Sequence, residues 1–204
     1  IGKKVNLFAG VAPDYFEEIN QYAQEKGFCI ENYIISSGLK SVIEGCLEHN
    51  KIDNFFKFIF ASEFLYDENN SQAIWPSVAI DYTNKTQYLF RINKGIMNVW
   101  DDKSVNEYIP EKKRIIPFER MIYIGDNEND IPAMKMINYK GGFSIAVYDP
   151  DKKNPNNNNY TPRDVAIRLV VQDRAKYIAP ADYSSNSELI KIIKLIIDKI
   201  SESI

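Results

Sequence analysis

Asp126 and Asp130 stand four residues apart where an apolar run, Met121-Ile122-Tyr123-Ile124, stops at Gly125 and gives way to a polar turn. Two carboxylates at that spacing suit a hard cation such as Mg²⁺, which takes oxygen ligands and keeps several of its waters. The segment does not have the form of a calcium loop, because Ile131 occupies the position that loop reserves for Gly and no Glu follows at its twelfth position. Asp130 also suits a purely structural task, capping the helix that contains Pro132, and both roles can hold at once. A second candidate is Ser36-Ser37-Gly38, which follows Tyr33-Ile34-Ile35. The Ser36 hydroxyl and the backbone amides beyond it could hold an anion at a helix N-terminus. Equally, Ser36 or Ser37 could cap that helix. The third candidate is a cation, Lys94 in Arg91-Ile92-Asn93-Lys94-Gly95, which could neutralise a phosphate and the carboxylates around it; Lys85 and Arg91 compete for that role.

The elements that must position these residues follow from hydrophobic spacing. Residues 13–26 read as a helix, with Pro13 in its first turn, Phe16, Ile19, Tyr22 and Ala23 on one face, and Gly27 closing it. Tyr33-Ile34-Ile35 reads as a strand, and Leu39, Val42, Ile43, Cys46 and Leu47 line the helix after it. Phe55 to Ala61 is a further strand. Within 62–93 the alternation around Val78-Ala79-Ile80-Asp81-Tyr82 predicts one or two short antiparallel strands inserted near a sheet edge. Helical segments are expected over Gln87 to Val99 and Val105 to Tyr108. Met121–Ile124, Ser144–Tyr148 and Tyr177–Ala179 read as strands. The Asn-rich stretch 150–162 reads as an exposed loop. Ser185 and Glu188 have capping-box spacing ahead of a terminal helix striped by Leu189, Ile193, Ile196, Ile197 and Ile200. Strands alternating with amphipathic helices predict an α/β fold with a mostly parallel sheet covered on both faces. In such sheets ligands bind beyond the C-terminal ends of strands, which is where Ser36 and Asp126 fall.

Composition narrows the function classes. The formal charge is −3, with acids and bases interspersed, so neither nucleic acid nor a membrane surface is an expected partner. No apolar run approaches the ~20 residues of a membrane span. The two cysteines, Cys29 and Cys46, form no CxxC pair, which fits a reduced, cytoplasmic setting. The single His49 lies among polar residues at an expected helix end, so mechanisms built on a Ser-His or Cys-His pair have little support. No G-x-G-x-x-G follows a strand, which disfavours a dinucleotide-binding dehydrogenase.

Taken together, Ile35-Ser36-Ser37-Gly38-Leu39, Asn93-Lys94-Gly95 and Ile124-Gly125-Asp126-Asn127-Glu128-Asn129-Asp130 resemble, in order, the second, third and fourth motifs of the haloacid-dehalogenase-like (HAD) phosphatases, in particular their phosphoserine-phosphatase-like members. The resemblance implies a three-layer Rossmann-like core spanning residues 1–204 as one incomplete catalytic domain. It also implies a Mg²⁺-dependent phosphatase acting on a small phosphorylated metabolite through an aspartyl-phosphate. Ser36, Ser37, Gly38 and Lys94 would bind the phosphoryl group. Asp126 would ligate the metal, and Asp130 would complete the metal site from behind it, orienting a metal-bound water or Lys94. Positioning and charge neutralisation are what phosphoryl transfer chiefly requires.

The first motif of that family, Asp-x-Asp-x-Thr on the central strand, supplies its nucleophile, and no such sequence occurs here. Asp149-Pro150-Asp151 has the spacing but lies after the fourth motif. The chain is therefore expected to be the C-terminal part of a longer phosphatase, without first strand or cap, and inactive alone. An empty place in the sheet between the strands ending at Ser36 and Asp126 is expected too, and it would invite association with another copy. Two other readings are a non-catalytic module that kept the sheet and lost the nucleophile, and a phosphoacceptor receiver domain. The late Gly-Asp-x-x-x-Asp and the insertion at 62–93 fit a compact receiver poorly.

Overall fold

The computed structural model describes residues 1–69, 72–152 and 160–203. In chain order its main elements are α1 (Pro13–Glu25), β1 (Asn32–Leu39), α2 (Lys40–His49), β2 (Phe56–Tyr66), β3 (Ala73–Val78), α3 (Lys85–Lys94), α4 (Asp102–Asn106), β4 (Ile122–Gly125), α5 (Ile131–Tyr139), β5 (Phe143–Tyr148), α6 (Pro162–Val171), β6 (Tyr177–Pro180) and α7 (Glu188–Ser201). This is an α/β fold. Parallel strands need a crossover, and helices supply it between β1 and β2, β4 and β5, and β5 and β6. Among the described residues only β3 runs antiparallel, folding back on the end of β2 with Leu65 opposite Trp75.

The strands form two three-stranded sheets, ordered β1-β2-β3 and β4-β5-β6. Helices cover both from the same two sides. On one side α1 sends Phe16 into a cluster with Leu47 and Ile52, against which Ile34 of β1 and Ile59 of β2 pack. The same helix sends Ile19 and Ala23 to the stripe of α7, where Ile122 and Ile124 of β4 also pack. On the other side Tyr88, Leu89 and Ile92 of α3 join Ala133 and Ile137 of α5. Tyr33 and Ile35 of β1 and Tyr123 of β4 all pack against that cluster. Strands β1 and β4 thus share both covering layers, yet β1 bonds only to β2 and β4 only to β5. Each keeps one edge without a strand partner among the described residues.

Several boundaries differ from those the sequence predicts. Helix α3 ends at Lys94 and not at Val99, because Gly95 adopts a left-handed conformation (φ 74°) that closes the helix. Its neighbour α4 starts at Asp102, where the Asp101 carboxylate accepts the Ser104 amide at 2.9 Å. Among the described residues, 62–93 hold one added antiparallel strand, as expected, but it is β3 at Ala73–Val78, ahead of the alternation at 78–82, and the stretch also includes most of α3. Of the expected loop at 150–162, residues 153–159 lie outside the described residues, and Pro162 already opens α6. That helix follows from a Thr161–Asp164 capping box. The terminal helix is capped by Ser187, whose Oγ accepts the Ile190 amide at 3.2 Å, and not by Ser185. Among the described residues no helix is long and apolar enough to cross a membrane. Cys29 and Cys46 are free thiols, the first exposed and the second buried, and His49 is exposed at the end of α2.

Candidate functional site

The corner after β4 is built by local rules. Asn127 accepts the Asn129 amide at 2.8 Å through its side chain and the Asp130 amide at 3.1 Å through its carbonyl. That makes a single tight turn between strand and helix. Asp126, first out of the strand, stays exposed; its Oδ1 accepts a hydrogen bond from Asn127 Nδ2 at 2.8 Å.

Asp130 is placed quite differently. It occupies the N-cap position of α5 but makes no side-chain cap bond, so the capping role does not account for it. The carboxylate instead turns back under the strand end and is buried, 5% exposed. Its Oδ1 accepts from Lys85 Nζ at 2.6 Å and from Tyr123 Oη at 2.7 Å, while Oδ2 accepts the Asp126 amide at 3.2 Å. Gly125 leaves room for this: a Cβ there would lie 2.6 Å from the Cβ of Asp130 and 3.0 Å from its Oδ2. Both carboxylate oxygens of Asp130 are engaged by protein donors, whereas Asp126 beside it is exposed. Among the described residues no group of three or more His, Cys, Asp and Glu side chains is arranged to hold a metal. Among the described residues no donor bonds to Asp126 Oδ2, and an exposed carboxylate at a strand end is the donor type Mg²⁺ takes.

The cation bonded to Asp130 is Lys85, and Lys94 lies elsewhere. Lys85 opens α3, and the turn before it is fixed by Asp81, whose Oδ1 accepts from the Thr83 amide at 2.7 Å and hydroxyl at 2.5 Å. Those bonds hold the Asp81 carboxyl below the usual range for an aspartate. Lys94 lies about two and a half turns further along, hence on the opposite side of the helix and roughly 13 Å away along its axis. Its Nζ donates to the carbonyls of Val105 and Glu107, each at 2.6 Å. Arg91, fully buried, donates to the carbonyls of Asn98 and Val99 and pairs with Asp102 at 3.2 Å. These two cations hold the segment after α3 in place, and the Asn93-Lys94-Gly95 match is a helix terminus.

Ser36 lies inside β1, which continues through an irregularity to Leu39. Its Oγ accepts the Gly38 amide at 3.0 Å. The N-cap of α2 is Leu39, with no side-chain bond, so neither Ser36 nor Ser37 caps that helix. Ser37 and Gly38 are exposed, and the Ser37 carbonyl accepts from Ser62 Oγ at 3.2 Å. Among the described residues no hydrogen bond joins this turn to Asp126, Asp130 or Lys85.

Two tyrosines feel the charges of this corner, and sequence reasoning missed both. Tyr123, on β4, has its phenol pushed well above 10, first by burial and then by the Asp130 charge. Tyr183, just after β6, is pushed up to about 12 by burial and by Asp126. A tyrosine inside a short apolar strand was the available signal for the first. Nothing local marks the second.

No family model matches the sequence. The chain is similar to an uncharacterized protein of Borreliella burgdorferi, 30% identical over 207 residues, a match that covers 93% of this chain. The chain spans 66% of that relative's length.

Proposed function

We propose that this chain is part of a Mg²⁺-dependent phosphatase core of the haloacid-dehalogenase-like type, acting on a small phosphate monoester. The observation that carries the reading is the buried Lys85–Asp130 pair set directly behind the exposed Asp126 at the end of a parallel strand. Burying an ion pair contributes little net stability, because desolvation offsets the attraction. A pair retained at such a strand end therefore fits a positioning task. In this reading Asp126 provides one ligand to Mg²⁺, which when bound would draw charge from the phosphoryl oxygens. Lys85 would supply N–H donors to the same oxygens. Ser36 and the Ser37 amide would cradle the group from the other strand end. Before an anion binds, Asp130 holds both Lys85 and the Asp126 backbone in position.

The attacking carboxylate has no candidate in this chain and would come from residues outside it. The partner-free edges of β1 and β4, packed between common helical layers, support an additional strand at that place. A strand inserted there would deliver its last residues between Ser36 and Asp126. The missing nucleophile also favours a second reading, a non-catalytic module that keeps only the sheet and the anion corner.

The test is turnover of a panel of phosphate monoesters by the full-length protein with Mg²⁺. Asp126→Asn and Lys85→Ala should each abolish it, and Lys94→Ala should retain it if folded. The 204-residue chain alone should show none. Turnover that survives both Asp126→Asn and Lys85→Ala sinks the phosphatase reading. A full-length protein that binds phosphate without turning over any ester supports the module.

A further inference from the structure

We propose that Tyr123 is a positioning residue: its hydroxyl keeps the Asp130 carboxylate in place while the Lys85 ammonium turns from Asp130 toward a bound phosphoryl group. The identity of the anion rests on the phosphatase reading; the division of labour rests on geometry.

Tyr123 and Lys85 donate to the same oxygen, Asp130 Oδ1, at 2.7 and 2.6 Å. Of the three groups the carboxylate is the one that cannot move. It lies on the backbone of Gly125, too close for even a methyl group to intervene, and the Asp126 amide holds its other oxygen. The lysine has a flexible four-carbon stem and three N–H donors, and Asp130 accepts one of them. Any rearrangement on anion binding must therefore be a swing of Lys85. Without Tyr123 that swing would leave a buried charge with only a 3.2 Å amide contact, and a buried charge stripped of its partner is strongly disfavoured. The phenol supplies the replacement donor in advance. It stays protonated throughout the working range, because burial and the Asp130 charge both raise its pKa. Its side chain otherwise packs between apolar residues of two core clusters, where an aliphatic residue would serve the packing alone.

The test is calorimetric titration of inorganic phosphate, with Mg²⁺ in the buffer, into the full chain and its variants. Tyr123→Phe should weaken binding about tenfold or more, the effect of one hydrogen bond to a buried charge, although the phenol does not touch the anion. Tyr123→Phe combined with Asp130→Asn should bind no more weakly than Asp130→Asn alone, because Tyr123 acts only through that carboxylate. Replacing Tyr123 with a fluorotyrosine, which keeps the ring and strengthens the donor, should tighten binding and serves if the Phe variant fails to fold. Side-chain NMR of Lys85 should show its ammonium signal moving on phosphate addition in the wild type and much less in Tyr123→Phe. Phosphate affinity unchanged in Tyr123→Phe, or losses that multiply in the double variant, overturns the proposal, as does a wild type that does not bind phosphate. The phosphatase reading fails separately: it falls if the full-length protein hydrolyses no ester, whereas full-length Tyr123→Phe with turnover and KM intact removes only the role of Tyr123.

Discussion

Lys85 Nζ lies 2.6 Å from Asp130 Oδ1, although the two residues are 45 positions apart and their side chains are only 6% and 7% exposed. The pair joins the start of α3 to the turn between β4 and α5, so it ties the helical layer to the strand end that carries Asp126. Among the described residues neither forms another salt bridge.

Removing one member should therefore be far worse than removing both. Lys85→Met or Asp130→Asn is expected to cost about 3–5 kcal/mol in urea unfolding. The double replacement Lys85→Met/Asp130→Leu should recover much of that loss. Lys94→Met, which removes bonds to two carbonyls only, should cost about 1–2 kcal/mol. A Lys85→Met protein as stable as the wild type would show that the pair does not form.

Gly125 is expected to tolerate no side chain. The Cβ of Gly125→Ala would stand 2.6 Å from the Cβ of Asp130, 2.9 Å from its Cγ and 3.0 Å from its Oδ2. Overpacking of this kind costs about 1–3 kcal/mol. A crystal structure of the variant should show Asp130 displaced from Lys85 and Tyr123. An unchanged Asp130 in that structure would contradict the close packing.

The edges of β1 and β4 should be visible to hydrogen exchange. Amides of Ile122–Gly125 that bond to β5 should be protected, and those on the other edge should exchange fast. The same alternation is expected along Tyr33–Ser36 beside β2. In a full-length protein that seats a strand at these edges, the fast amides become slow. Fast exchange retained there would rule out the added strand.

Acid should loosen the contact between α1 and α7. Glu18 bonds to Lys194 at 2.7 Å, and that bond holds its carboxyl below the ordinary 4.5. A carboxyl depressed in the folded state binds its proton more tightly when unfolded. The stability it contributes is thus fully present above 4.5 and is lost as pH falls through the lower folded value. Thermal melts of Glu18→Gln should depend less on pH than wild-type melts between about pH 5 and pH 3. Parallel curves for the two proteins would exclude the linkage.

Much of the architecture was legible because it depends on neighbours within one or two turns. The spacing of Phe16, Ile19 and Ala23 predicts α1 and its buried face, and the stripe from Leu189 to Ile197 predicts α7. The apolar run stopped by Gly125-Asp126 predicts β4 and the turn after it. Helix α6 was legible in principle, since Thr161, Pro162 and Asp164 form a start signal, but the expected loop at 150–162 ran across that signal.

What the sequence alone determined, then, is the alternation of strands and helices and the place of a carboxylate corner at a strand end. Only the tertiary structure decided which cation faces that corner. Lys85, Arg91 and Lys94 all belong to α3, and no rule of composition separates them. The packing of α3 against α5 turns Lys85 inward to Asp130 and leaves Lys94 on the far side, holding the carbonyls of Val105 and Glu107. The same packing turned Asp130 from a helix cap into the acceptor for Lys85 and Tyr123. Local propensity acts over a few residues, whereas a contact across 45 is selected by which faces the core must bury.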